Sequence, residues 1–256
     1  MYLIVGGDSV IGNALGNYWE DNNTDFHSST RKLALSSEVR PFIDLENLDF
    51  SNLDYGYDVA ILCAAVSSIA KCELHKKRTR IINVINTYTL LEKLSLLGTH
   101  IIFLSSNQVF DGSKPLNKTS DRKKPVCEYG KQKAEAEDLI SNLKKFSILR
   151  LSKVIHPNLP ILINWSESLE MGQQINAFAD MSLSPIDIGK VVLKIDSLAK
   201  SKVVGIFHCS GGVDMSYYDY AIQYVKRFGH SENLVNKESC KSIGLKPPLF
   251  TSLSTT

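Results

Sequence analysis

The chain has 256 residues, 43% hydrophobic and 22% charged, and its 29 Lys and Arg exceed its 27 Asp and Glu by only two. These values exclude a disordered or fibrous chain and give no reason to expect nucleic acid or an anionic membrane as a partner. The length suits one domain with a modest appended lobe.

The opening run "MYLIV" is too short for a signal peptide or a membrane span. The chain is therefore expected to start at Met1, to lack a membrane anchor and to be cytoplasmic. The first predicted strand, 2–5, runs into "VGGDSVIGNALG", a glycine loop that opens a helix over "IGNALGNYWED". Gly6 and Gly12 flank a turn in which Ser9 takes the middle place of a GxxGxxG-like spacing. Backbone amides of Gly6, Ser9, Val10, Ile11 and Gly12, with the positive helix end, would suit a pyrophosphate. The same glycines would also serve a tight strand-to-helix turn without ligand.

The second strand, "DFHSS" at 25–29, ends in "SSTRK". Many NAD enzymes present an Asp or Glu there to the ribose hydroxyls; here Ser29, Thr30 and Arg31 would suit a 2′-phosphate, which an acid would repel. The expected coenzyme is NADP(H) in preference to NAD(H), although Arg31 and Lys32 also read as a solvated strand end. Asp25 begins this strand and is discounted as a ribose ligand.

Further strands are expected at 59–66, 100–106, 146–155 and 204–210, with helical apolar spacing in "KRTRIINVINTYTLLEKLSLLG", "YGKQKAEAEDLISNLKK" and "IDIGKVVLKIDSLAK". Strands alternating with helices give a parallel sheet, and its buried strands read as continuous apolar runs. The expected fold class is α/β, a Rossmann-like doubly wound parallel sheet with a small C-terminal substrate-binding lobe. The core would be 1–155, with 184–210 returning to it. The lobe would be 156–183 and 211–256, lying over the carboxyl edge of the sheet where such folds bind ligands. Its tail, "KPPLFTSLSTT", looks irregular and polar.

Tyr129 and Lys133 are one helical turn apart and share a face. Spacing of this kind is common on surface helices. A phenol, with an ordinary pKa near 10, becomes a usable acid/base at neutral pH when positive charge stands beside it, and Lys133 is the candidate source. Ser105 and Ser106 close the fourth strand, where a hydroxyl can donate to a substrate carbonyl.

Five scattered cysteines without a CxxC pair, and six histidines without i, i+4 pairing, suggest neither disulfides nor a metal site. "HKKRTR" at 75–80 reads as a solvated face or as a contact for a diphosphate or nucleic acid. The lack of basic residues interleaved with aromatics disfavours a nucleic-acid module. Trp19 and Trp165 read as packing residues, with Trp165 also placed in the lobe to stack on a base or sugar.

The strings "VGGDSVIG", "CAAVSSIAKCE", "INVINTYTLLEKL", "FLSSNQVFDG", "DRKKPVCEYGKQKAEAE", "ILRLSKVI", "SLSPIDIGKVV" and "GIFHCSGG" resemble, in order and spacing, the extended short-chain dehydrogenase/reductase superfamily. Within it the chain is most similar to the dTDP-4-dehydrorhamnose reductase group. "SSNQVFDG" is similar to that group's STDYVFDG, and Asp121, Pro125, Tyr129 and Lys133 keep its D-x-x-x-P-x-x-x-Y-G-x-x-K pattern.

The resemblance implies that Ser106 is the catalytic hydroxyl, Tyr129 the general acid and Lys133 its partner, which also holds the nicotinamide ribose. It implies that Asp44 and Leu45 lie near the adenine, that Ala64 and Ala65 line the coenzyme, and that Val154 approaches the nicotinamide. Asn83 would support the lysine through water. The implied substrate is a nucleotide-activated deoxysugar, reduced at a keto carbon, C4 in the group's chemistry, with Asn107, Gln108 and Trp165 as candidate substrate contacts. A homodimer through helices beside the active-site helix is admitted.

Departures from the pattern are Ser9 for the middle glycine, Cys63 for the usual Asn, Asn107 and Gln108 for Asp-Tyr, and Pro247 and Phe250 for the Arg and Asn of a C-terminal motif. Asn107 and Gln108 cannot act as the acid pair of a sugar-nucleotide dehydratase. An epimerase stays open, as does a non-catalytic, coenzyme-binding regulatory protein, a role known in this group.

Overall fold

The computed structural model describes residues 1–49 and 56–255. They form two units: Met1–Asp111, Thr119–Leu151 and Ile188–Cys209 make the first, and Gly112–Lys118, Ser152–Asp187 and Ser210–Thr256 the second.

In the first unit, six parallel strands run in the order β2-β1-β3-β4-β5-β10. They are β1 (Tyr2–Val5), β2 (Phe26–Ser28), β3 (Val59–Leu62), β4 (His100–Ser106), β5 (Phe146–Leu151) and β10 (Gly205–Cys209). The helices are α1 (Val10–Asp21), α2 (Ile69–Leu74), α3 (Lys76–Arg80), α4 (Thr87–Leu96), α5 (Glu128–Ile140) and α7 (Ile188–Ser201). Leu3, Ala60, Leu62, Ile101, Phe103 and Ile148 pack with Leu90, Leu94, Ala136 and Ile140 in one core, which explains why these strands are rich in apolar residues. Trp19 is a packing residue, buried on α1, with its indole N–H donating to Asp196 of α7 at 2.9 Å. Because β1 lies between β2 and β3, the strand order reverses there, and a crevice opens at the carboxyl ends of β1 and β3.

Several boundaries differ from the sequence expectation for physical reasons. The run 146–155 is two strands. Leu151 is the last residue with a partner on both sides, opposite Ser106 of β4 and Cys209 of β10, so the ladder ends there. Beyond it, β6 (Lys153–Ile155) pairs instead with β9 (Pro185–Asp187), and both belong to the second unit. The run 59–66 leaves the sheet after Leu62, since the amides of Cys63 and Ala64 both turn onto the Val5 carbonyl, at 2.9 and 3.0 Å. The single helix expected over 77–98 is interrupted by a π-helical segment, Ile81–Asn86, between α3 and α4.

The second unit also contains α6 (Pro160–Glu170), β7 (Ile175–Phe178), β8 (Ser182–Leu183), β11 (Met215–Ser216), α8 (Tyr217–Arg227) and β12 (Val235–Glu238). β12 pairs in parallel with β7, and β11 pairs with β8 antiparallel. Leu162, Trp165, Leu169, Ala221 and Val225 bring α6 and α8 together, and Pro160 at the start of α6 and a Ser216–Asp219 capping box on α8 fix the helix starts.

The tail is not irregular throughout. Both oxygens of Asp214 are used on it: Oδ1 accepts from the amides of Thr251 and Ser252, at 2.6 and 2.9 Å, and Oδ2 from the Ser252 hydroxyl. Ser252 in turn accepts from the Leu116 amide at 3.0 Å, and Ser254 donates to the Asn117 carbonyl at 2.9 Å, which brings 112–118 into this unit. No helix among the described residues is long and apolar enough to cross a membrane.

Candidate active site

A cleft of about 400 Å³ occupies the crevice at the β1–β3 switch point. Gly6, Asp8 and Ser9 of the glycine loop, Arg31 and Lys32 after β2, Ile43 to Glu46, Ala64 to Val66 and Ile82 line it. Gly6 has φ +89°, and a Cβ there would lie 2.7 Å from Ala64, so this wall can be only backbone. Ser9 caps α1, its hydroxyl accepting from the Gly12 amide at 3.1 Å. A serine at the middle position of the loop is therefore compatible with the helix start that the glycine pattern implies.

The structure brings Gly6, Ser9, Arg31, Asp44, Leu45, Ala64 and Ala65 to this cleft, while Val10, Ile11 and Gly12 form the first turn of α1 and do not line it. The expected 2′-phosphate group is broken up. Ser29 is buried and accepts from the Gly6 amide at 2.9 Å; Thr30 is buried and donates to Asp8 at 2.6 Å. Both hydroxyls serve the loop instead of the cleft. The far wall is braced from the helices: the Asn86 amide donates to the Leu45 carbonyl at 2.8 Å, and Arg78 grips Glu46 with two bonds of 2.6 and 2.8 Å. Arg78 of the basic run thus holds a loop of the cleft, and Arg80 pairs with Glu135 of α5.

Ser106, Tyr129 and Lys133 come together around the carboxyl end of β4. Ser106 caps the short turn Asn107–Val109, accepting from the Gln108 amide and donating to Asn107 Oδ1, each at 3.2 Å. The first turn of α5 packs on this turn at Gly130, where a Cβ would collide with the Gln108 carbonyl oxygen. Glycine after Tyr129 is what lets the tyrosine helix approach the serine turn. Gly130→Ala is expected to cost about 1–3 kcal/mol, as overpacking does, and to lower turnover at least tenfold; thermal melting and a steady-state assay check both.

Lys133 is 4% exposed and donates to the Leu104 carbonyl at 2.8 Å, with its ammonium 4.4 Å from the Phe103 ring centre and 5.9 Å from that of Tyr129. Burial pushes its pKa down to about 8, opposed by the negative charge of Glu137. Burial pushes the Tyr129 phenol well above its usual range, with Cys72 and Cys127 adding to the rise. The direction is opposite to the one expected from a neighbouring positive charge, and desolvation is its main cause. Cys63 feels the Lys133 charge too, but burial dominates and raises its thiol to about 12.

Asn83 lies in the π-helical segment and clamps both walls. Its Oδ1 accepts from the Val66 amide at 2.8 Å, and its Nδ2 donates to the Val66 carbonyl and to Gln132, at 2.9 and 2.8 Å. Asn83 thus ties the cleft loop to the residue beside Lys133. Insertions of this helix type often fall at functional positions, and this one places Asn83 between the cleft loop and α5.

Three expected substrate contacts fare differently. Asn107 and Gln108 are half-buried in the serine turn, whereas Trp165 is 4% exposed and packs against Tyr220 and Tyr224, so it presents no face for a base or sugar. Val154 lies half-buried on β6 of the second unit. Among the described residues no three His, Cys, Asp or Glu side chains are grouped to hold a metal ion.

Sequence reasoning passed over Asp8, Gly130, and a buried ion pair behind Lys133. In that pair Glu137 takes two bonds from Arg150, of 2.9 and 2.7 Å, and one from Ser105, of 2.6 Å. A charge directly after the paired glycines, and a glycine directly after the tyrosine, were the available signals.

The chain is 30% identical over 232 residues to dTDP-4-dehydrorhamnose reductase of Aggregatibacter actinomycetemcomitans, covering 86% of this chain and 76% of that protein. It is 26% identical over 248 residues to methionine adenosyltransferase 2 subunit beta of Bos taurus, covering 88% and 71%. The crystal structure of dTDP-4-dehydrorhamnose reductase from Bacillus anthracis str. Ames in complex with NADP shares its fold, with a TM-score of 0.86 at 20% identity over 100% of this chain and 90% of that one. Residues 1–248 match the family described as the RmlD substrate binding domain, and the chain belongs to that family.

Proposed function

We propose that the protein is a nicotinamide-dinucleotide-dependent reductase of a keto group, at C4 of a nucleotide-activated deoxysugar. What supports this reading is that Ser106 ends β4 while Lys133, with Tyr129 beside it, reaches the same strand at Leu104, and that the β1–β3 switch point holds a cleft walled by backbone at Gly6. Named relatives that reduce dTDP-4-dehydrorhamnose support the substrate class.

The coenzyme supplies the hydride. Tyr129 gives its phenolic proton to the developing alkoxide, which a phenol held protonated by burial is suited to do. Ser106 orients the carbonyl by donating to its oxygen, a task for which its bond to Asn107, at 3.2 Å, is weak enough to exchange. Lys133 keeps positive charge behind the tyrosine and stabilises the phenolate left after transfer. Arg31 and Lys32 in the cleft favour a 2′-phosphate and so NADP(H).

The test is a panel of nucleotide-activated 4-keto sugars with NADPH and, in parallel, NADH. Loss of absorbance at the reduced nicotinamide band is expected with at least one member. Absence of turnover across the panel, with coenzyme bound, would instead favour a non-catalytic role; the relatives named as a subunit of another enzyme, and Pro247 and Phe250 in the tail, motivate that second possibility.

A further inference from the structure

The charges that line the dinucleotide cleft are not those of the β2 end alone. Arg31 and Lys32 are joined there by three carboxylates, Asp8, Asp44 and Glu46. All three accept hydrogen bonds from the protein, and they differ in where those partners lie. Asp44 accepts from the Glu46 amide at 3.0 Å and from Asn47 at 3.3 Å, closing its loop, and Glu46 is held by Arg78.

Asp8 is different. It belongs to the glycine loop, yet its side chain is fastened to the end of β2: Oδ2 accepts from Thr30 at 2.6 Å, and Oδ1 from Arg40 at 2.6 Å. The end of β2 is where a dinucleotide fold of this topology senses the ribose 2′ substituent, with a carboxylate for the hydroxyl or a cation for the phosphate. The acid that β2 lacks is thus delivered to the same place from the preceding loop. The bond from Thr30 holds the Asp8 carboxyl below the usual carboxylate range, with Arg40 and Lys32 adding to the effect, so it is ionised at neutral pH. Arg40 is not part of the cleft wall, and its pairing with Asp8 is partly exposed, so solvent weakens it.

Resting on the assignment of this cleft to a dinucleotide, we propose that Asp8 is the residue that sets coenzyme selectivity. Its carboxylate accepts from the ribose 2′-hydroxyl of NADH and opposes the 2′-phosphate of NADPH, offsetting the attraction of Arg31 and Lys32. Selectivity for NADPH is therefore smaller than the basic residues after β2 imply.

Titrations of NADH and NADPH into the native protein, Asp8→Asn and Arg40→Gln, followed by nicotinamide fluorescence or calorimetry, test this without any sugar substrate. Asp8→Asn is expected to raise the NADPH-to-NADH affinity ratio about tenfold, the equivalent of about 1.4 kcal/mol. Arg40→Gln, which removes the cation from Asp8, is expected to lower the ratio. A rise of less than threefold in Asp8→Asn, or a fall, overturns the role of Asp8. Asp8→Ser is expected to move the ratio as Asp8→Asn does, and it decides the matter by the same threshold should the asparagine variant fail to fold. Binding of neither coenzyme to the native protein overturns the dinucleotide assignment and the role of Asp8 with it; binding with an unmoved ratio overturns the latter alone.

Discussion

Tyr129→Phe is expected to lower the rate of keto-sugar reduction by about 10²–10⁴-fold, the range lost with a general acid, while leaving the melting temperature and coenzyme affinity close to native. The phenylalanine keeps the ring against the start of α5 and removes only the proton donor. The pH profile of the native protein should carry the signature of the neighbouring lysine. Burial lowers Lys133 to about 8, so its ammonium is present below that pH and is lost as pH rises through it. Burial raises Tyr129, so the phenol stays protonated across the same range. Reduction should therefore be level near pH 7 and decline above about pH 8, the decline reporting the lysine. A profile that stays level to pH 10, or a phenylalanine variant with native turnover, would remove Tyr129 and Lys133 from these roles.

The parts of the fold that were legible in the sequence are those whose environment is uniform. β4 was expected over 100–106 and is found there, because both faces of a central parallel strand are covered and Ile101 to Leu104 form an unbroken apolar run before Ser105 and Ser106 begin the polar end. The β1–glycine loop–α1 unit was legible for a related reason: backbone approach at Gly6 and the cap at Ser9 are local demands met by adjacent residues. What could not be read is which way a polar side chain turns when its partner is remote in sequence. Thr30 looked like a ligand for phosphate and is instead spent on Asp8, 22 residues earlier. The tail looked irregular because its order comes from Asp214, 37 residues before Thr251. Trp165 was ambiguous in the sequence, since an aromatic on a helix has the same pattern whether it faces a core or a ligand; the facing tyrosines of α8 decide it. Tyr129 and Lys133 had a spacing, but only Gly130 against the Gln108 carbonyl explains how their helix reaches Ser106.

Glu137→Ala should be among the most destabilising single substitutions in the chain. Glu137 is 0% and Arg150 2% exposed, joined by two short bonds, so removing the carboxylate strands a guanidinium in the core of the first unit. Breaking a buried pair in this way costs about 3–5 kcal/mol, which for a chain of this size corresponds to a fall of roughly 10 °C in melting temperature. Ser105 of β4 and Lys123 also lie 2.6 and 3.5 Å from Glu137, so both lose a partner together with Arg150 of β5. The double variant Glu137→Leu, Arg150→Leu removes both charges and should recover most of the loss, since an apolar pair can replace a buried ion pair at little cost. A functional consequence separates this from simple loss of packing. Glu137 stands one helical turn beyond Lys133, and its charge raises the lysine pKa that burial lowers. In the double variant that support is gone, and the alkaline decline in activity should begin below pH 8 even though the protein is again stable. Recovery of stability with an unshifted pH profile would confine the pair to holding the fold; a shifted profile makes it part of what keeps Lys133 charged.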